Sequence, residues 1–325
     1  FFFSFVMDSY DSQSLTSTKT VKVSKEIIDP IKEKLASNKT PLPERFRCVF
    51  TLKNLGGPLA IKALATAFAD ESVLLKHEVA YAIGQMRDPE AIKILTDLLS
   101  DTNEHPVVRH EAGEALGAIG TDECLGIVEK FVNDPAQEVS ETCELAVGRI
   151  KWLQSIADEK EREEKAGASE FYTVDPAPSA KSTDPQQLGD NLTNEELPIF
   201  DRYCALFALR DMNNNESVAQ LVRGFESSSA LLRHEIAYVL GQMQNETSFD
   251  GLNKVLSNNS EHPMVRHEAA EAIGALPSTN VEELLKNYLK DEEPLVSESC
   301  LVALDMADYF QSDKLEYADA LKNQD

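Results

Sequence analysis

The chain has 325 residues, enough for two domains of ordinary size, and 42% of them are hydrophobic, enough for a packed core rather than a disordered polymer. Its formal charge of −25, from 56 acidic and 31 basic residues, argues against nucleic acid as the main partner; it suits solvated helix faces and is compatible with an amine-bearing substrate. No stretch reaches the ~18 apolar residues of a membrane-spanning helix, so no membrane partner is expected. Aromatic residues are few at 7%, while Ala, Leu and Glu recur, so the composition leans toward an all-α fold.

The opening Phe1-Phe2-Phe3-Ser4-Phe5-Val6 is apolar but too short, and lacks the basic flank, for a secretory signal. It reads as an extension introduced by gene prediction, or as a fragment, rather than an anchor, and a cytoplasmic protein is expected. Residues 1–40 are assigned to a leader and a first helix, and residues 41–156 to a first helical half. Within that half Asp88-Pro89-Glu90 supplies a cap, a first-turn proline and a first-turn acid. Ala91, Ile92, Leu95, Leu98 and Leu99 then form one helical stripe, and after a turn at Asp101 a second helix carries Val108, Ala112, Ala115, Leu116 and Ile119.

Residues 157–196 break the pattern. A charge run at Asp158–Lys165 and the prolines of Val174-Asp175-Pro176-Ala177-Pro178 mark a linker. Its length lets the halves face one another instead of extending one spiral. Residues 197–325 form the second half, because a shift of 157 residues lays the chain on itself. Ser72–Met86 matches Ser229–Met243 at 10 of 15 positions and Glu104–Gly117 matches Glu261–Gly274 at 11 of 14, far beyond chance.

A shorter period lies inside each half. His77 and His110 are 33 residues apart, as are His234 and His267, a spacing typical of stacked helix pairs. Cys143 and Cys300 continue the period downstream, and Phe46 and Tyr203 hold the equivalent place upstream. The expected fold is therefore a duplicated HEAT-like α-solenoid, two halves of four helix pairs each, facing across a pseudo-twofold axis. The five cysteines include no Cys-x-x-Cys and suit reduced core thiols.

All six histidines fall in pairs related by the 157-residue shift, and four are followed directly by glutamate: His77-Glu78, His110-Glu111, His234-Glu235 and His267-Glu268. Adjacent helical residues are ~100° apart, so a His and the next Glu can flank one helix edge and converge on an ion. Two neighbouring repeats would supply two imidazoles and two carboxylates, the donor set that suits iron with open positions. Four carboxylates would also balance two ferrous ions, so the cluster could be buried. An inert buried pair has no reason to recur in the inner repeats of both halves and be absent from the outer ones. His105 and His262, before prolines, are read as cap or turn residues. Glu114 and Glu271 are candidates for hydrogen bonding to the ligand histidines or for salt bridges with Arg109 and Arg266. Tyr81 and Tyr238 are read as core, and Gly84, Gly117, Gly241 and Gly274 as close-packing or helix-ending positions. His-Glu-x-x-His, Walker and Gly-x-Ser-x-Gly motifs are absent.

Helix pairs in tandem, duplicated, with four His-Glu pairs in this order, resemble the deoxyhypusine hydroxylases from about Leu42 to Met306. The resemblance rests on residues 74–86, residues 105–117 and Val174–Pro178. It implies a cytosolic monooxygenase that binds two Fe(2+) ions, uses dioxygen as co-substrate and needs an external reductant. The implied partner is a protein substrate, deoxyhypusine-containing translation initiation factor 5A, completed to hypusine. It implies His77, His110, His234 and His267 with Glu111 and Glu268 as ligands. Glu78 and Glu235 either join them or orient the substrate's amines. A monomer is expected. The competing readings are a HEAT-type interaction scaffold with structural His-Glu pairs and, third, a zinc or manganese hydrolase on the same ligands.

Overall fold

A computed structural model of the chain describes residues 23–310, except Ala168 and Thr279. The apolar opening, the rest of the leader and residues 311–325 lie outside the described residues. Among the described residues every regular element is helical and none is a strand.

The first half contains α1 (Lys25–Leu35), α2 (Leu42–Leu55), α3 (Gly57–Leu64), α4 (Val73–Met86), α5 (Ile92–Ser100), α6 (Pro106–Ile119), α7 (Asp122–Val128) and α8 (Gln137–Ser155). The linker carries α9 (Glu159–Ala166). The second half repeats the order as α10 (Pro185–Thr193), α11 (Ile199–Met212), α12 (Asn215–Arg223), α13 (Ala230–Met243), α14 (Phe249–Leu256), α15 (Pro263–Gly274), α16 (Val281–Tyr288) and α17 (Pro294–Phe310). The helical array of the second half thus begins before residue 197, the expected boundary. Asp184 caps α10, Pro185 occupies its first turn, and Leu188 and Leu192 bury its inner stripe. Asp184-Pro185 repeats the cap-and-proline start of Asp88-Pro89, but the nine-residue helix carries a short apolar stripe among polar neighbours and merges with the linker in sequence.

Odd and even members of each half play different parts. The inner helices α2, α4, α6 and α8 pack successively on one another, as do α11, α13, α15 and α17. Helix α8 then meets α11, and α17 returns to α2, so the eight inner helices close into a ring. A repeated arginine fastens each outer helix to its inner partner. Arg45, Arg109, Arg202 and Arg266 donate from Nε to the carbonyls of Leu35, Leu99, Leu192 and Leu256 at 2.8–3.0 Å, satisfying a carbonyl that a helix C-terminus leaves open. Three of these guanidiniums also pair with an aspartate 25 residues on: Asp70, Asp134 and Asp291.

Glycine sets the spacing between ring helices. A Cβ on Gly84 would lie 2.7 Å from the backbone of Ala115, and one on Gly274 would lie 2.7 Å from the Ala303 side chain. Only a residue without a side chain lets α4 approach α6, and α15 approach α17, this closely.

His77 faces His234 and, one turn on, Tyr81 meets Tyr238, so the pseudo-twofold runs along α4 and α13. The Ser72 hydroxyl donates to Glu298 at 2.7 Å, and its counterpart Ser229 donates to Glu141 at 2.6 Å. Both contacts join opposite halves near helix N-termini, so those termini share one rim of the ring.

Candidate metal centre

Helices α4, α6, α13 and α15 carry the four His-Glu pairs, and the ring turns all of them inward. The four histidines and Glu78, Glu111, Glu235 and Glu268 are at most 1% exposed. Ring centroids lie 5.3 Å apart for His77 and His110 and 5.3 Å for His234 and His267. Across the axis the separations are similar: 5.3 Å for His77 to His267, 5.7 Å for His110 to His234 and 6.0 Å for His77 to His234. The structure therefore gathers the four histidines into one cluster rather than two separate ones.

Carboxylates complete it symmetrically. Glu111 Oε2 is 3.3 Å from His77 Nε2, and Glu268 Oε2 is 3.3 Å from His234 Nε2. Two sets of donor atoms lie mutually within 4.8 Å: His77, His110 and Glu111 in one half, and His77, His234 and His267 spanning both.

Burial governs the charge. It holds the imidazoles of His77 and His110 well below their ordinary value and that of His234 at about 3, so these rings are neutral and present lone pairs. It pushes Glu111 and Glu235 well above the usual carboxylate range, Glu78 to about 7 and Glu268 to about 8, with neighbouring carboxylates adding to the effect. The Nε2 atoms of His110 and His267 and Oε2 of Glu111 and Glu268 are buried and make no hydrogen bond among the described residues. Native interiors seldom leave such atoms unsatisfied without an ion or water to meet them. Imidazole nitrogens and carboxylate oxygens within 4.8 Å of one another fit a divalent first-row metal.

The flanking residues divide. His105 and His262 accept from the backbone N–H of Val107 and Met264 through Nδ1 at 3.2 Å, the cap role read from sequence. Arg109 and Arg266 pair with Asp134 and Asp291, so neither pairs with Glu114 or Glu271 in the way left open. Glu271 instead accepts from the Ser299 hydroxyl at 2.9 Å and lies 3.7 Å from His267 Nδ1. Burial pushes its carboxyl up, but the bonds from His267 and Ser299 outweigh burial and leave it below its ordinary value. Glu114, by contrast, is half-buried and is held at about 7 by burial and by Asp175. Among the described residues His110 Nδ1 meets Thr142 Oγ1, at 3.5 Å. Tyr81 and Tyr238 are buried, and their hydroxyls approach to 3.4 Å across the axis. Sequence reasoning missed this tyrosine meeting and the role of Ser299. Tyr81 and Tyr238 follow their histidines at the same spacing in both halves, and that spacing was the available signal.

Fold and site together define a class: a closed ring of helical repeats enclosing a histidine–carboxylate cluster suited to metal. Comparison agrees, since HEAT repeats match residues 28–107 and the PBS lyase HEAT-like repeat matches residues 108–134 and 265–291. Deoxyhypusine hydroxylase of Mus musculus is 48% identical over 92% of this chain and 98% of its own length, and that of Homo sapiens is 46% identical over 92% and 97%. The solved structure of human deoxyhypusine hydroxylase in complex with glycerol superposes with a TM-score of 0.83 at 47% identity, covering 88% of this chain and 97% of that one. The chain belongs to the deoxyhypusine hydroxylase family and is an enzyme. Among the described residues no helix is long and apolar enough to cross a membrane.

Proposed function

We propose that this protein is a cytoplasmic di-iron monooxygenase that hydroxylates the deoxyhypusine side chain of translation initiation factor 5A to hypusine. The observation that carries the metal reading is the buried cluster of four imidazoles and two carboxylate oxygens, contributed by the two halves of a single chain. His77, His110 and Glu111 would hold one ion, and His234, His267 and Glu268 the other. One chain completes the site, so a monomer suffices.

Inserting oxygen into an unactivated methylene is beyond acid–base side chains, and a ferrous pair supplies the electrons that activate dioxygen. The balance is one dioxygen, two electrons from an external reductant and two protons, giving one hydroxyl group and one water. The protein's own contribution is placement. Glu78 and Glu235 adjoin the ligand histidines and are buried; the positive charge of the substrate arm's amines would offset the burial that favours their neutral form, so that they would bind those amines as carboxylates and fix which carbon is presented. Glu271 would hold the His267 ring through Nδ1, leaving Nε2 for metal.

The test is metal analysis and turnover of the purified chain beside a His77→Ala, His234→Ala variant, with a deoxyhypusine-bearing protein as substrate. The variant should lose iron and product together. Turnover surviving in it would overturn the assignment.

A further inference from the structure

Between α9 and α10 the chain passes over the C-terminal end of the ring, and residues on both halves hold it. The backbone N–H of Val174 donates to Gln85 Oε1 at 2.8 Å, and Gln242 Nε2 donates to Thr173 Oγ1 at 3.2 Å. Gln85 and Gln242 are counterparts under the 157-residue shift. A segment that bonds both bridges the two halves at this end of the ring.

Deeper contacts tie the same segment down. Arg210 clasps Asp175 through two nitrogens at 2.9 and 2.7 Å, and Arg149 Nε donates to the Asp175 carbonyl at 2.9 Å. Thr173, Val174 and Ala177 are buried, and Pro176 and Pro178 stiffen the crossing. Gln242 Nε2 also donates to the Tyr238 hydroxyl at 3.0 Å, and Tyr238 meets Tyr81 at 3.4 Å. Moving along the axis from the histidines, one passes the tyrosine pair, then the glutamine pair, then the linker. Each spans both halves.

We propose that Thr173–Asp175 is the back wall of the reaction chamber, so that the substrate arm reaches the histidine cluster only from the opposite rim. That rim is formed by the N-terminal ends of the inner helices. There His105, an exposed cap residue, sits in the field of Glu104 and Glu138 of its own half and Glu293 of the other. The ring is symmetric and the linker is not. A single asymmetric crossing converts a two-ended ring into a one-ended pocket, which a side chain presented on a protein surface requires. The inference rests on the cluster being the reaction site.

Its test places a bulky label at either end. In a Cys204→Ser background the other native cysteines are buried, so a maleimide–polyethylene glycol reacts at an introduced thiol. The thiol is placed at the rim (His105→Cys) or on the exposed outer side of the linker (Ser179→Cys). Two readouts are taken on the iron-loaded protein: hydroxylation of a deoxyhypusine-bearing protein, and the rate at which ferrozine extracts iron. The rim label should slow both roughly tenfold or more, while the linker label leaves both within about twofold. A second variant, Gln85→Leu with Gln242→Leu, should speed extraction at temperatures below its melting transition. A linker label that blocks either readout, or extraction unchanged in the double variant, overturns the wall. Extraction needs no turnover. A chain that holds iron without hydroxylating would sink the functional reading, and extraction alone would still decide the wall.

Discussion

Replacing Gly84 by alanine tests how closely ring spacing is coupled to the metal cluster. The added methyl would meet Cα and Cβ of Ala115 at 2.7 Å, about 0.7 Å inside ordinary contact. Both struck atoms are fixed to the α6 backbone, so no rotamer change relieves them and the helices must part. Overpacking of this kind costs about 1–3 kcal/mol, while alanine's better helix propensity returns about 1 kcal/mol. The net loss is therefore up to about 2 kcal/mol, a fall of at most several degrees in melting temperature. Gly126, in α7, is the control. A methyl group added there would find nothing within 4 Å, so Gly126→Ala gains the propensity alone and should stabilise. The assay is thermal unfolding of both variants together with iron content, because parting α4 from α6 separates His77 from His110. A Gly84→Ala protein as stable as the parent and fully loaded with iron would refute the reasoning.

Two further expectations concern charge. In the metal-free protein the raised carboxyl values mean the folded state holds protons that the unfolded chain has released, so stability falls as pH rises through about 7 to 8, the values of Glu78 and Glu268. The depressed histidines act oppositely, adding stability as pH rises toward the ordinary value of 6.5, so the two trends oppose below that point and only the decline remains above it. Melting temperatures of metal-free protein should drop between pH 6.5 and 8.5, and Glu111→Gln with Glu268→Gln should flatten the slope; a rise would contradict it. Separately, Arg109→Met removes the donor to Leu99 and the guanidinium partner of Asp134, whose side chain is 6% exposed and keeps the backbone N–H of Ala136. Loss of a buried partner costs about 3–5 kcal/mol, measurable by equilibrium denaturation, and a loss below about 1 kcal/mol would mean the arginine does not fasten the helix pair.

Much of the fold was legible because duplication makes the sequence its own reference. The 157-residue shift and the 33-residue period placed His77, His110, His234 and His267 on equivalent helices, and the structure brings those four rings together. What escaped was contact without local period. The Ser72–Glu298 and Ser229–Glu141 bonds join residues far apart in sequence, and nothing near either serine announces its partner. Helix α10 escaped because its nine residues carry a short apolar stripe, Leu188 and Leu192, among polar neighbours that resemble linker. The inequivalence of Glu114 and Glu271 lay deeper still, since identical residues on matching helices are separated by their neighbours: Ser299 draws Glu271 inward where Thr142 stands in the other half. The arginines before Phe46, His110, Tyr203 and His267 were visible, but their register to a carbonyl ten residues earlier becomes readable only with the helix pairs in place.

The proposed chemistry requires both halves to build one cluster for a pair of ions. Anaerobic titration of the metal-free chain with ferrous iron, read by bound iron per chain, probes this without any turnover. The parent chain should saturate at two irons, and the His77→Ala, His234→Ala variant should lose binding. Saturation at one iron, or two irons still held by the variant, would contradict a shared two-ion centre.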